Sequence, residues 1–231
     1  MSTIIAIETS GKFCSVALIH DGLAEFSRED KVEMNHAKAI GPFVESCLEE
    51  ARRKEWKIDA VAVSMGPGSY TGLRIGLSMA KGLCYALGVP LIGISTLMLI
   101  AVKAMFRNME WNADEILVPM IDARRMEVYT AAYDFHLNTL MSPQPLIVTE
   151  DSYNNLPSDR EIYFMGDGAL KTKEILNRQN FHWLENVNPT AYDMTALAEK
   201  ALRENDFLDV AYCVPEYLKE YEAKKSSVKG L

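Results

Sequence analysis

Three groups of residues could do chemistry in this sequence. The first is the glycine-rich turn inside VAVSMGPGSYTGLRIGLSMAKGLCYALGVP, Val61 to Pro90. A glycine turn that opens a helix can hold phosphate, because free backbone N–H groups and the helix dipole both favour an anion. The residue types do not complete that chemistry. A phosphate loop of the form G-x-x-x-x-G-K-[ST] needs its lysine, and Gly66 is followed by Pro67, Gly68, Ser69, Tyr70, Thr71, Gly72 and Leu73. A dinucleotide fingerprint needs G-x-G-x-x-G and an acid further on. Gly66 and Gly68 fit, but Thr71 holds the third place, Gly72 comes one late, and Gly88 to Ile92 contains no acid. The second group is Glu8 and Asp122, which stand at the ends of apolar runs and read either as general bases or as relics of such chemistry, with relics the favoured reading. The third is Ser10 and Ser69. Neither shows a G-x-S-x-G elbow or an evident base, and turn chemistry explains both. Asp167, in MGDGAL, follows a strand and precedes a helix, a place that resembles an adenosine-binding turn, although a helix N-cap suffices. No catalytic, cofactor-binding or metal-binding residue is assigned, and no cofactor is expected.

The helix behind the glycine turn carries more information than the turn. Leu73, Leu77, Ala80, Cys84 and Leu87 form one apolar face. Ile75, Met79, Leu83 and Ala86, with Gly72, Gly76 and Gly82, line much of the rest. A helix apolar nearly all round must be buried on more than one side. One side can pack on its own sheet, and the other needs a second helix, from this chain or a partner. Gly72 and Gly76 share a face and would let another backbone come close. Glycine costs about 1 kcal/mol inside a helix, so close packing is a reason to keep it. The helix Asn35 to Arg53 is amphipathic through Ile40, Phe43, Val44, Cys47, Leu48 and Ala51. The expected partner interface is Phe43, Cys47, Gly72, Ile75, Gly76, Met79 and Leu83. Burial within the domain is the alternative.

The elements around these residues alternate. Ile4 to Ile7, Cys14 to Ile19 and Leu23 to Arg28 read as a meander, with Asp21-Gly22 as a hairpin turn. Strands follow at Ile58 to Ser64 and Leu91 to Ile94, and Ser95 or Thr96 can cap a helix to about Arg107. Asn108 to Glu115 is polar and marks a boundary. Then ILVPMIDARRMEVYTAAYD repeats the layout of TIIAIETSGKFCSVALIHD: apolar run, acid, short turn, alternating strand. QPLIVTE and EIYFMG continue as strands, and Ala169 to Arg178 and Tyr192 to Asn205 read as helices. Two copies of one pattern predict a duplicated α/β chain, with lobes at 1–108 and 109–219 and a flexible tail at 220–231.

Composition narrows the function. The chain has 231 residues, 48% of them hydrophobic, and a net charge of −8 from 24 basic and 32 acidic residues. That can bury a sizeable core, but an acidic protein gains nothing from the phosphate electrostatics of nucleic-acid binding. Lys219, Lys224, Lys225 and Lys229 read as a short solvated cluster. The four cysteines are separated and read as buried free thiols of a reducing compartment. MSTIIAIETSG has no signal-peptide layout, and Leu73 to Leu87 is too short and too charged to span a bilayer. A soluble, cytoplasmic protein is expected.

The tandem strand–acidic turn–strand pattern resembles the actin, sugar-kinase and Hsp70 superfamily, which implies a duplicated actin-like (ribonuclease H-like) α/β fold of two mixed-sheet lobes. More specifically, SMGPGSYTGLRIGLSMAKGL, IAIETSGKFCSVAL, IDARRMEVY (Ile121 to Tyr129) and PEYLK (Pro215 to Lys219) together resemble the TsaB (YeaZ) family. The last has lysine where the family keeps arginine. The resemblance implies a noncatalytic subunit of tRNA threonylcarbamoyladenosine biosynthesis. It would pair with the transferase TsaD, or with itself as a homodimer, through helices of the N-terminal lobe. The ATPase TsaE would join the complex, and tRNA would be met only through it. The catalytic relative's H-x-x-x-H metal motif is similar in place to His36-Ala37-Lys38-Ala39-Ile40, where Ile40 cannot ligate a metal. His20, His136 and His182 have no second ligand at metal spacing. The alternative reading is an ATP-dependent kinase or transferase using Glu8 and Asp122 around magnesium. Arg124 and Arg125 remain open between a partner contact and an acidic-turn contact.

Overall fold

The computed structural model describes residues 1–32, 35–107 and 110–219. The chain opens with β1 (Thr3–Glu8), β2 (Cys14–His20) and β3 (Leu23–Asp30), an antiparallel meander. Asp21 and Gly22 both take positive φ (48° and 77°) at the first tight turn, as the Asp-Gly pair leads one to expect. Helix α1 (His36–Arg53) crosses to β4 (Ala60–Gly66), and α2 (Tyr70–Leu87) to β5 (Leu91–Ser95). Both strands join parallel, giving the order β3-β2-β1-β4-β5. Helix α2 stops at Gly88, which takes the left-handed conformation (φ 67°) and donates its N–H to the Cys84 carbonyl at 2.9 Å.

The second half repeats this plan. Strands β6 (Ile116–Asp122), β7 (Glu127–Tyr133) and β8 (Thr139–Ile147) form a meander, and β9 (Ile162–Met165) and β10 (Phe181–Leu184) add parallel. The order β8-β7-β6-β9-β10 matches the first sheet strand for strand. This is a duplicated actin-like fold.

Strand β1 is buried along its whole length, because both faces of the first sheet are covered. Ile5 and Ile7 pack under α1 and α2, while Ile4 and Ala6 pack on the opposite layer. Helix α3 (Thr96–Arg107) joins the lobes. Its Leu99 belongs to the first core, and Leu97, Ile100 and Ala104 belong to the second. A cut at residues 108 and 109, which lie outside the described residues, would separate the sheets but not their cover. Helix α4 (Thr195–Glu204) returns to the first sheet through Ala198 and Ala201. Leu208 then pairs with Leu91.

The sequence reading needs three corrections here. Ala169 to Arg178 is not a helix. Only Leu170–Thr172 forms a 3₁₀ turn, because Thr172 turns its hydroxyl back to the Ala169 carbonyl (2.7 Å) while its neighbours bond three residues back. Strand β10 carries no strong alternation and is absent from the reading. Lys219 is not simply solvated, since it pairs with Glu127 of β7. Lys224, Lys225, Lys229 and the expected tail at 220–231 lie outside the described residues.

Candidate functional site

The glycine turn is filled by this chain itself. The Thr9–Ser10 turn, which follows β1, is pressed against it. A β-carbon at Gly72 would lie 2.1 Å from the Thr9 carbonyl oxygen, and one at Gly68 2.5 Å from that of Ser10. One at Gly76 would lie 2.2 Å from Thr9 Oγ1. Ser69 caps α2 by accepting the Gly72 N–H at 3.2 Å and donates its own N–H to the Ser10 carbonyl at 2.7 Å. The backbone that approaches Gly72 and Gly76 is therefore a turn of the same lobe, and both glycines are withdrawn from the expected partner interface. Cys47 is withdrawn too. It is fully buried in the core under α1, and burial pushes its thiol up to about 12.

The other expected interface residues lie nearer the surface. Ile75, Met79 and Leu83 are half-buried and line a groove of about 790 Å³ between α1 and α2, which Ala37 and Ile40 close from the α1 side. Phe43 is half-buried and packs against the core beneath. A second cavity of about 360 Å³ lies on the other flank of α2, walled by Cys213, Val214, Pro215 and Tyr217. Tyr70, Arg74 and Ser78 line both. Sequence reasoning missed these three. Their spacing of four along an otherwise apolar helix was the available signal.

The candidate acids are engaged within their own lobes. Glu8 is buried and accepts the Ser10 N–H at 2.6 Å, the Ser10 hydroxyl and the Ser64 hydroxyl. Burial nevertheless raises its pKa above the usual value of 4.5. Above the unfolded pKa and below the folded one, the folded chain holds a proton that the unfolded chain has released, so stability falls as pH rises through that window. Glu8→Gln stays neutral at every pH. Its denaturation midpoint should lack this fall when followed upward from about pH 4. Parallel midpoint curves for wild type and variant would show that Glu8 is charged in the fold.

Asp122 sits in the β6–β7 turn. Its Oδ1 accepts the Arg124 N–H at 2.9 Å and pairs with Lys171. Burial opposes ionisation, but Lys171 and that N–H together hold the carboxyl below the usual range. The Lys171 ammonium also donates to the carbonyls of Arg125 (2.8 Å) and Glu127 (2.6 Å), so a fixed cation occupies the turn. Nothing in the local sequence pointed to Lys171, which comes from the 3₁₀ turn after β9. Arg124 and Arg125 both have positive φ (71° and 49°) and shape this turn. Asp167 accepts the Asp122 N–H at 2.9 Å, and its own pKa is raised by burial. Its bond goes to a strand end, which corrects the N-cap reading. His36 is buried at the start of α1, with Nε2 3.1 Å from the Gly11 carbonyl. Among the described residues no group of three His, Cys, Asp or Glu side chains could hold a metal ion. Among the same residues no helix is long and apolar enough to cross a membrane.

The family described as TsaD, tRNA N6-adenosine threonylcarbamoyltransferase, matches residues 29–227. The tRNA threonylcarbamoyladenosine biosynthesis protein TsaB of Buchnera aphidicola subsp. Schizaphis graminum is 31% identical, over 83% of this chain and 90% of its own length. The chain belongs to the TsaB (YeaZ) family. The Bacillus subtilis TsaB is 28% identical over 99% of both chains. The solved YeaZ from Pseudomonas aeruginosa superposes with a TM-score of 0.80 at 29% identity, covering 94% of this chain and all of that one. A TsaB-family chain thus shares a family description with a transferase. Its glycine turn is packed by its own backbone, and its two candidate acids are tied up locally.

Proposed function

We propose that this chain is a noncatalytic subunit of tRNA threonylcarbamoyladenosine biosynthesis that binds and stabilises the cognate TsaD transferase. TsaE joins the larger complex, and tRNA is met only through it. One observation carries the reading: the open, largely apolar groove between α1 and α2, walled by Ile75, Met79 and Leu83 on a helix whose opposite face is already buried. An apolar groove left open at the surface supports an interaction site. The local engagement of Glu8 and Asp122 supports the noncatalytic half of the reading, because Glu8 is buried under three hydrogen bonds and Asp122 already pairs with Lys171. The naming of its TsaB relatives for tRNA threonylcarbamoyladenosine biosynthesis supports the pathway.

Reconstitution tests it. Purified cognate TsaD, TsaE, tRNA and threonylcarbamoyl adenylate should form the modified nucleoside when this chain is added, and much less without it. This chain with Mg-ATP, threonylcarbamoyl adenylate and tRNA, but no TsaD, should form none. Modification or ATP hydrolysis by the chain alone, lost in Glu8→Ala, would establish the enzyme reading instead.

A further inference from the structure

The chain crosses between its lobes at two places. One is α3, and the other is the segment 185–190, which leads from β10 back to the 3₁₀ turn Ala191–Met194 on the first sheet. Arg107, the last residue of α3, donates from Nη1 to the carbonyls of Glu185 (3.0 Å) and Asn186 (2.6 Å) and ties the two crossings together. Paired crossings of this kind form a hinge, because a few residues can absorb the rotation of one lobe against the other. The PEYLK segment, Pro215 to Lys219, supplies a third connection. The chain reaches it along the first lobe. The Leu208 N–H donates to the Leu91 carbonyl at 2.8 Å, and Lys81 holds the Ala211 carbonyl at 3.2 Å. The Glu216 N–H donates to the Met65 carbonyl at 2.7 Å, and a β-carbon on Gly66 would lie 2.7 Å from the Glu216 carbonyl oxygen. Tyr217 packs on Tyr70, with ring centres 5.0 Å apart. Two residues later Lys219 reaches the second lobe and pairs with Glu127 at 2.5 Å. The Glu127 side chain is largely buried, and its main chain closes the β6–β7 turn: its N–H donates to the Arg124 carbonyl, and its carbonyl accepts from Lys171.

We propose that Pro215 to Lys219 is an interlobe latch, anchored on the first lobe by its backbone and closed on the second by the Lys219–Glu127 pair. The two ends differ in strength. The first-lobe end is a backbone hydrogen bond and a backbone fit that only a glycine at position 66 admits. The second-lobe end is one ion pair, whose lysine side chain is 43% exposed. An exposed pair shifts an equilibrium by only about two- to fivefold. The latch therefore opens at Lys219 while Glu216 stays on Met65. It couples two turns, because Met65 leads into the glycine turn and Glu127 ends the β6–β7 turn. A second contact agrees with a closed arrangement. Lys12, in the turn after β1, lies near enough to Asp122 and Asp167 of the second lobe to favour their charged forms. The chain thus holds its own lobes in one orientation, reversibly, through the end of its C-terminal segment.

Residual dipolar couplings of the backbone amides in the full chain test this, because two sheets held in one orientation share one alignment tensor. Wild type, Lys219→Arg, Lys219→Gln and Lys219→Glu are compared, together with the solvent exchange of the Glu216 amide. Lys219 lies at the surface, so each variant should keep the wild-type spectrum within each sheet. Both sheets should fit a single tensor in wild type and in Lys219→Arg, which keeps the charge. In Lys219→Gln the tensor of the second sheet should lose magnitude relative to that of the first, and in Lys219→Glu it should lose more. The Glu216 amide should stay slow to exchange in all four. One unchanged tensor in Lys219→Glu would overturn the latch. So would separate tensors in wild type, or the same loss in Lys219→Arg as in Lys219→Glu. Fast exchange of the Glu216 amide in wild type would overturn the anchored end.

Discussion

Gly72→Ala is expected to destabilise the fold by about 2 kcal/mol, although alanine is the better helix former. Two effects compete. Helix propensity favours alanine by about 1 kcal/mol. Against it, the new methyl would sit 2.1 Å from the Thr9 carbonyl oxygen, a backbone atom that cannot swing aside. Overpacking of this kind typically costs about 1–3 kcal/mol, and a backbone obstacle puts it at or above the upper end. The net loss should lower the melting temperature by about 4–8 °C in a chain of this size. Gly76→Ala should cost less, because its obstacle is the end of the Thr9 side chain, whose buried Oγ1 has no hydrogen-bond partner among the described residues. Gly82→Ala meets nothing within 4 Å and should be stabilising by up to about 1 kcal/mol. Thermal melts of the three variants check the order. Gly72→Ala melting at or above wild type would mean that the Thr9–Ser10 turn does not lie against α2 in solution.

That order of effects marks where sequence reasoning stopped. The period of α1 and α2 and the duplicated strand–turn–strand plan were both legible, because each depends on residues close in sequence. A helix apolar all round announces burial on two sides, and Ile75, Met79 and Leu83 could be singled out on that ground. What covers each side is a different question. Glycines that admit a partner helix and glycines that admit the chain's own turn have the same pattern, and the Thr9–Ser10 turn lies far upstream of both. Cys47 was chosen as an apolar residue on α1, but period alone does not tell the core edge of that stripe from its outer edge. Lys171 closes the Asp122 turn from a distant 3₁₀ segment, so no local motif could reveal it.

Met79→Arg carries the largest expected effect on function. Met79 is half-buried in the middle of the groove wall, one turn from Ile75 and one from Leu83. An arginine there can lay its stem along the apolar wall and keep its charge in water, so the fold should lose no more than about 1 kcal/mol. A docked helix would remove that water. The guanidinium would then occupy the apolar centre of the interface, where losses of about 2 kcal/mol or more are typical, or some 30-fold in Kd. Far-ultraviolet circular dichroism and the melting temperature guard against a folding defect. The most direct measurement is therefore a calorimetric titration of cognate TsaD into wild type and into Met79→Arg, both shown to be folded. Saturable one-to-one binding to wild type, lost in Met79→Arg, is the predicted result. Binding of both chains with the same Kd would contradict the assignment of the α1–α2 groove as the docking site.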